Sequence, residues 1–167
     1  MDKNQSHNKF IEQALLNAQK AYKQDEVPIG AIIVKDNKII GTGYNQSICN
    51  NDPTAHAEIM AIRNAAEHLK NYRLTGCTLY CTLEPCMMCA GSIVHARIDT
   101  LVYAAPDPKT GVITSKANLL ESNFLNHKVK VIPGILAQES ANILQSFFKD
   151  KRINRNKKQE IISVNRY

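Results

Sequence analysis

Between residues 29 and 132 short β-branched runs alternate with helical stretches, which restricts the chain to a sheet covered by helices. Ile29–Val34 and Ile39–Gly43 flank an Asp36-Asn37 turn and predict a β-hairpin. Three further strands are expected at Thr78–Leu83, Ile98–Ala104 and Lys128–Ile132. Helices are expected over 8–23, where Ile11, Leu15, Ala18 and Tyr22 form one stripe, and from Ala55 to about Leu69 with Thr54 as N-cap. Two more are expected from Pro85 to about His95, with proline tolerated at the first helical position, and from Leu136 to about Arg152. The order is helix, hairpin, helix, strand, helix, strand, strand, helix, hence an α/β domain on a mixed sheet. With 167 residues, 44% of them apolar, one core suffices without disulfide staples.

Charge is unevenly placed. The chain carries +6 overall, and the segment from Lys149 to Tyr167 alone carries +5, with seven basic residues against Asp150 and Glu160. A basic terminus on a near-neutral body suits a phosphate-bearing partner such as nucleic acid, although cations also favour a helix C-terminus through its dipole. The N-terminus lacks the apolar core of a secretory signal, and no apolar run approaches the ~18 residues that cross a bilayer. The expectation is a soluble, cytoplasmic protein.

In such a compartment five cysteines (Cys49, Cys77, Cys81, Cys86 and Cys89) are a poor disulfide framework. Cys86 and Cys89 sit at i and i+3 at the start of an expected helix, whose dipole favours thiolates. His56 sits at the start of another. One histidine and two cysteines are ligands of zinc type, and three of them leave a tetrahedral ion with an open position for water or substrate. Zinc with two thiolates and a neutral imidazole sums to zero charge, yet still lowers the pKa of bound water toward neutrality. Glu58, two residues beyond His56, is a carboxylate suited to shuttling protons from that water. The alternative is a closed structural zinc with Cys49, Cys77 or Cys81 as fourth ligand. Cys77 and Cys81, four apart on a strand, read as ordinary buried thiols, and a closed site leaves Glu58 without a role.

His56-Ala57-Glu58 followed by Pro85-Cys86-Met87-Met88-Cys89 is similar to the signature of the zinc nucleobase deaminases. From about Phe10 to Arg152 the chain resembles the bacterial tRNA-specific adenosine deaminases. The supporting segments include Glu26-Val27-Pro28-Ile29-Gly30, Gly43-Tyr44-Asn45, Asn71-Tyr72-Arg73-Leu74 and Asp107-Pro108-Lys109-Thr110-Gly111. The resemblance implies a cytidine-deaminase-like, three-layer α/β/α fold with a five-stranded mixed sheet, and a homodimer that takes the anticodon stem-loop of tRNA across both subunits. It implies a zinc-dependent deaminase domain over residues 1–152, followed by a basic C-terminal tail over 153–167.

The reaction it implies is hydrolytic deamination of the wobble adenosine to inosine, with release of ammonia. His56, Cys86 and Cys89 would hold one zinc ion per subunit. Glu58 would take a proton from water, deliver one to adenine N1 and assist the departure of ammonia. Asn45 would contact the purine. Asp107, Lys109, Phe148, Lys149 and Arg152 would bind substrate RNA by phosphate contact and stacking, with Phe147 a further aromatic on the same helix. Two other readings share these residues: a free nucleobase or nucleoside deaminase acting on cytosine, cytidine or guanine, and a non-catalytic zinc RNA-binding module.

Overall fold

The computed structural model describes residues 3–164. Helix α1 (Lys3–Lys23) leads into the hairpin β1 (Gly30–Lys35) and β2 (Lys38–Tyr44), then α2 (Ala57–Leu69), β3 (Thr78–Leu83), α3 (Met87–His95) and β4 (Thr100–Ala105). A single 3₁₀ turn, Leu119–Glu121, precedes β5 (Lys130–Pro133) and the final helix α4 (Ala137–Val164). The five strands form one sheet in the order β2-β1-β3-β4-β5. Strand β1 runs antiparallel to β2 and β3, while β3, β4 and β5 are mutually parallel. The expected mixed, five-stranded, three-layer α/β/α architecture is the one the chain adopts.

Strand alternation makes the layers. Ala31, Ile33, Leu79, Cys81, Leu101 and Tyr103 face one side and pack with Ala57, Ala61, Ala65, Ala90 and Ile93 of α2 and α3. Their neighbours Ile32, Val34, Tyr80, Val102 and Ala104 face the other side, against Phe10, Ile11 and Leu15 of α1 and Ile143 of α4. Cys77 and Cys81 both lie fully buried in the first of these cores. Helix α2 rests on β2 at backbone distance: a Cβ at Gly43 would overlap the Ala57 carbonyl oxygen and the Ala61 amide nitrogen. Glycine at 43 and alanines at 57, 61 and 65 therefore set how deeply α2 sits, and α2 carries the candidate site at its N-terminus.

Several boundaries differ from the sequence expectation, and three of them bear on the site and its basic surface. Helix α2 starts at Ala57 with His56 as N-cap, because Thr54 is used elsewhere: its N–H and hydroxyl both donate to Asp52 Oδ1, at 2.8 and 2.7 Å. Helix α3 starts at Met87 with Cys86 as N-cap, so Pro85 precedes the cap instead of opening the helix. Helix α4 does not stop near Arg152 but continues to Val164, since nothing in 153–164 is a proline or glycine. The expected domain boundary at 152 thus falls inside one helix, and residues 165–167 of the expected tail lie outside the described residues. Among the described residues no helix is long and apolar enough to cross a membrane.

Candidate active site

The two helix N-termini converge. His56 and Cys86 are the N-caps of α2 and α3, both with extended backbone, and neither side chain caps its own helix. Cys89 is three residues into α3 from its cap, the spacing at which N-cap and third-position side chains meet. The donor atoms of His56, Cys86 and Cys89 lie within 4.8 Å of one another. His56 Nδ1 stands 3.6 Å from the Cys86 sulfur and 3.6 Å from the Cys89 sulfur. Ligand bonds of about 2.3 Å to sulfur and about 2.05 Å to nitrogen, opened at a tetrahedral angle, separate those atoms by about 3.6 Å. The triad has the spacing of three ligands on one tetrahedral ion. Cys77 and Cys81 are not members of this group.

The electrostatics suit such a group. Donation from the Cys89 thiol, reinforced by His56, holds the Cys86 thiol down to about 4, so this sulfur is a thiolate at neutral pH. The Cys89 thiol is pushed upward, first by its hydrogen bond to Cys86 and then by burial. The His56 imidazole is raised above its ordinary value by its contact with Cys86. A divalent cation bound there would take the place of the shared proton as the charge that satisfies both sulfurs.

Glu58, in the first turn of α2, is only 4% exposed, and burial pushes its carboxyl up to about 7. That range suits a group that both accepts and returns protons near neutrality. Asn45, at the end of the hairpin, is also buried. Its Oδ1 accepts the Ala57 N–H at 2.9 Å, satisfying an N-terminal amide of α2 that Thr54 leaves unpaired. Among the described residues its Nδ2 has no partner and remains available as a donor.

The basic residues assemble on a second surface. A groove of about 1440 Å³ is lined by Lys109 from the β4–β5 connection and by Phe148, Lys149, Arg152, Arg155 and Lys157 of α4. His56, Cys86 and Cys89 do not line it. The two phenylalanines of α4 separate: Phe147 is core, edge-on to Tyr22 of α1, whereas Phe148 is 46% exposed toward the groove. Helix α4 is held to the end of α1 by Tyr22 donating to Asp150 and by the Lys151–Asp25 ion pair, both at 2.5 Å. Lys151 is therefore occupied, while Lys149 and Arg152 have no acidic partner among the described residues. Asp107 uses its carboxylate locally, accepting from the N–H groups of Lys109 and Thr110 and from the Thr110 hydroxyl, which builds the turn that presents Lys109.

Two buried carboxylates were not visible as functional in the sequence. Glu26 accepts the N–H groups of Ile48 and Cys49, at 2.7 and 2.8 Å, fixing the loop that follows Asn45. Glu84, two residues before Cys86, is gripped by the loop after β4. Burial alone would raise the Glu84 carboxyl, but donation from Ser115, Thr114 and Asp107 outweighs it and holds the group below its usual value. Isolated glutamates carry no sequence pattern that marks them as loop anchors.

A mixed sheet with two helix N-termini presenting a histidine and two cysteines beside a buried glutamate defines a deaminase, and the model of the MafB19-like deaminase family matches residues 5–152. A curated tRNA-specific adenosine deaminase of Haemophilus influenzae is 49% identical over 145 residues, covering 86% of this chain and 84% of that protein. The solved structure of a tRNA:A34 deaminase, from work on A-to-I editing at the wobble position of transfer RNA, is 47% identical with a TM-score of 0.79. It covers 81% of this chain and 98% of its own. A Bacillus subtilis guanine deaminase structure is 44% identical with a TM-score of 0.58, covering 60% of this chain and 64% of its own. The chain belongs to the tRNA-specific adenosine deaminase family and has its cytidine-deaminase-like fold.

Proposed function

We propose that this chain deaminates the wobble adenosine of a tRNA anticodon to inosine, using one zinc ion held by His56, Cys86 and Cys89. The observation that carries the reading is the triad itself: one nitrogen 3.6 Å from each of two sulfurs, with a buried carboxyl on the same helix start. The donor set fits zinc by softness and spacing, and with three protein ligands one position stays open. A zinc ion bound there supplies Lewis-acid activation of water near neutral pH.

The chain's own residues supply the rest. Glu58 takes a proton from the attacking water and delivers it to adenine N1. As the C6–O bond forms and the C6–N bond breaks, Glu58 returns the second proton to the leaving amine, so adenosine and water give inosine and ammonia. Asn45, its oxygen fixed by the Ala57 N–H, offers its amide protons to an acceptor nitrogen of the purine. An anticodon loop presents its bases already unpaired, so extrusion of the target costs little. Lys109, Lys149 and Arg152 meet phosphates, Phe148 offers a stacking surface, and Asp107 orders the turn beneath Lys109. The family reading carries with it a homodimer, a cytoplasmic location, a catalytic domain over 1–152 and a basic tail over 153–167.

Two measurements test this. Removal of metal with a chelator abolishes inosine formation on an anticodon stem-loop, and Zn²⁺ restores it; inosine formation that survives verified metal removal contradicts the reading. The RNA contacts are tested by salt dependence. Lys149→Gln with Arg152→Gln removes two phosphate contacts and makes the slope of log K against log salt shallower by about 1.4 for a single-stranded loop. Lys151→Gln, whose charge is taken by Asp25, leaves the slope unchanged. Equal slopes in all three proteins place the RNA elsewhere.

A further inference from the structure

The buried Glu84 carboxylate takes no part in the chemistry derived above, yet it accepts five hydrogen bonds, all from the loop 107–115. Oε1 accepts the N–H groups of Ile113, Thr114 and Ser115, at 3.0, 2.7 and 2.9 Å. Oε2 accepts the Asp107 N–H at 2.9 Å and the Ser115 hydroxyl. The loop closes so tightly that a Cβ at Gly111 would overlap the carboxyl group. The next residue joins the grip, since the Pro85 carbonyl accepts the Val112 N–H at 3.1 Å. Cys86 follows directly. One end of this clamp is the turn that bears a ligand of the triad, and the other is the Asp107 turn that bears Lys109.

We propose that Glu84 is a positioning residue for substrate RNA: by holding the Asp107 N–H it fixes where Lys109 stands opposite the Phe148, Lys149 and Arg152 face of α4. This rests on the reading of the chain as an RNA deaminase. The two oxygens divide the labour. Oε1 holds the distal part of the loop with three amides, and Oε2 alone holds its start. In Glu84→Gln the amide oxygen takes the three-donor position and the NH₂ group faces Asp107. There it meets another donor, while the Ser115 hydroxyl can rotate to accept. The substitution thus frees the Asp107 turn and keeps residues 113–115 in place.

The test is steady-state deamination of an anticodon stem-loop with adenosine at the wobble position, with metal content measured in each protein. Glu84→Gln raises KM about tenfold and leaves kcat and bound metal near those of the native protein. Lys109→Ala raises KM in the native background but adds little in Glu84→Gln, because the lysine is already misplaced. A purely structural clamp behaves differently: it lowers kcat, metal content and Tm together and leaves KM unchanged. That pattern overturns the proposal, as does a Lys109→Ala effect of full size in both backgrounds. If Glu84→Gln fails to fold, Gly111→Ala sets a methyl group against the carboxyl on its Oε2 side and against the Asp107 carbonyl, which loosens the same turn and raises KM; an unchanged KM there overturns the proposal. Amide exchange reads the clamp without substrate, with Asp107 exchanging faster in Glu84→Gln and Ile113–Ser115 remaining protected. A native chain inert toward RNA overturns the functional reading beneath the proposal, and the Asp107 amide then shows whether the clamp itself exists.

Discussion

Replacing Glu58 with glutamine lowers the rate of inosine formation by about 10²–10⁴-fold while metal content and folding stay native. The carboxyl is nearly fully enclosed at the start of α2, and burial brings it to about 7, where both protonation states are accessible at neutral pH. Glutamine has the same shape and hydrogen-bonds in the same space, but it neither takes a proton from water nor gives one to N1. The ligand triad does not include Glu58, so metal binding survives. Single-turnover deamination with metal quantified in the same samples checks this. A Glu58→Gln protein that works at near-native rate assigns proton transfer to another group.

The second large effect concerns the ligands. Cys86→Ala removes one of three donors and, with it, roughly a third of a binding free energy of about 10–16 kcal/mol, so metal affinity falls by about 10²–10⁴-fold. Activity falls with it. Cys81→Ala is the informative comparison, because that thiol lies in the sheet core facing α2 and α3 and outside the triad. It costs about 1 kcal/mol of stability for a small cavity and retains the metal. Competition against a chelator of known affinity measures both proteins. Loss of metal from Cys81→Ala would mean a closed four-ligand site, in which no position is left for water or substrate.

Much of this arrangement was legible in the sequence. The short β-branched runs and the Asp36-Asn37 turn placed the sheet, and Thr78–Leu83 was expected at the boundaries the structure has. His56, Cys86 and Cys89 stood out because each lies near a helix start, where ligand side chains can converge. What escaped depends on contacts between distant residues. The start of α2 is set by Asn45, twelve residues upstream, whose side chain takes the amide that the local sequence assigned to Thr54. The extra turns of α1 before residue 8 go with His7 packing on Tyr80, a partner 73 residues away. Helix α4 runs past Arg152 to Val164, because a run of charge does not stop a helix. Glu26 and Glu84 are anchors only by virtue of the loops folded onto them.

The similar Bacillus subtilis structure is named a guanine deaminase, so a like fold is found with a different base. The substrate is therefore the central claim. It is tested most directly by giving the native protein, in one reaction, an anticodon stem-loop with adenosine at the wobble position, the same loop with that adenosine moved by one nucleotide, free guanine and cytidine. Nuclease digestion and mass analysis of the products read all four. The account predicts inosine from the wobble adenosine alone, with the other three unchanged. Conversion of guanine or cytidine, with the RNA left intact, would keep the Glu58 chemistry and contradict the assignment of tRNA as its substrate.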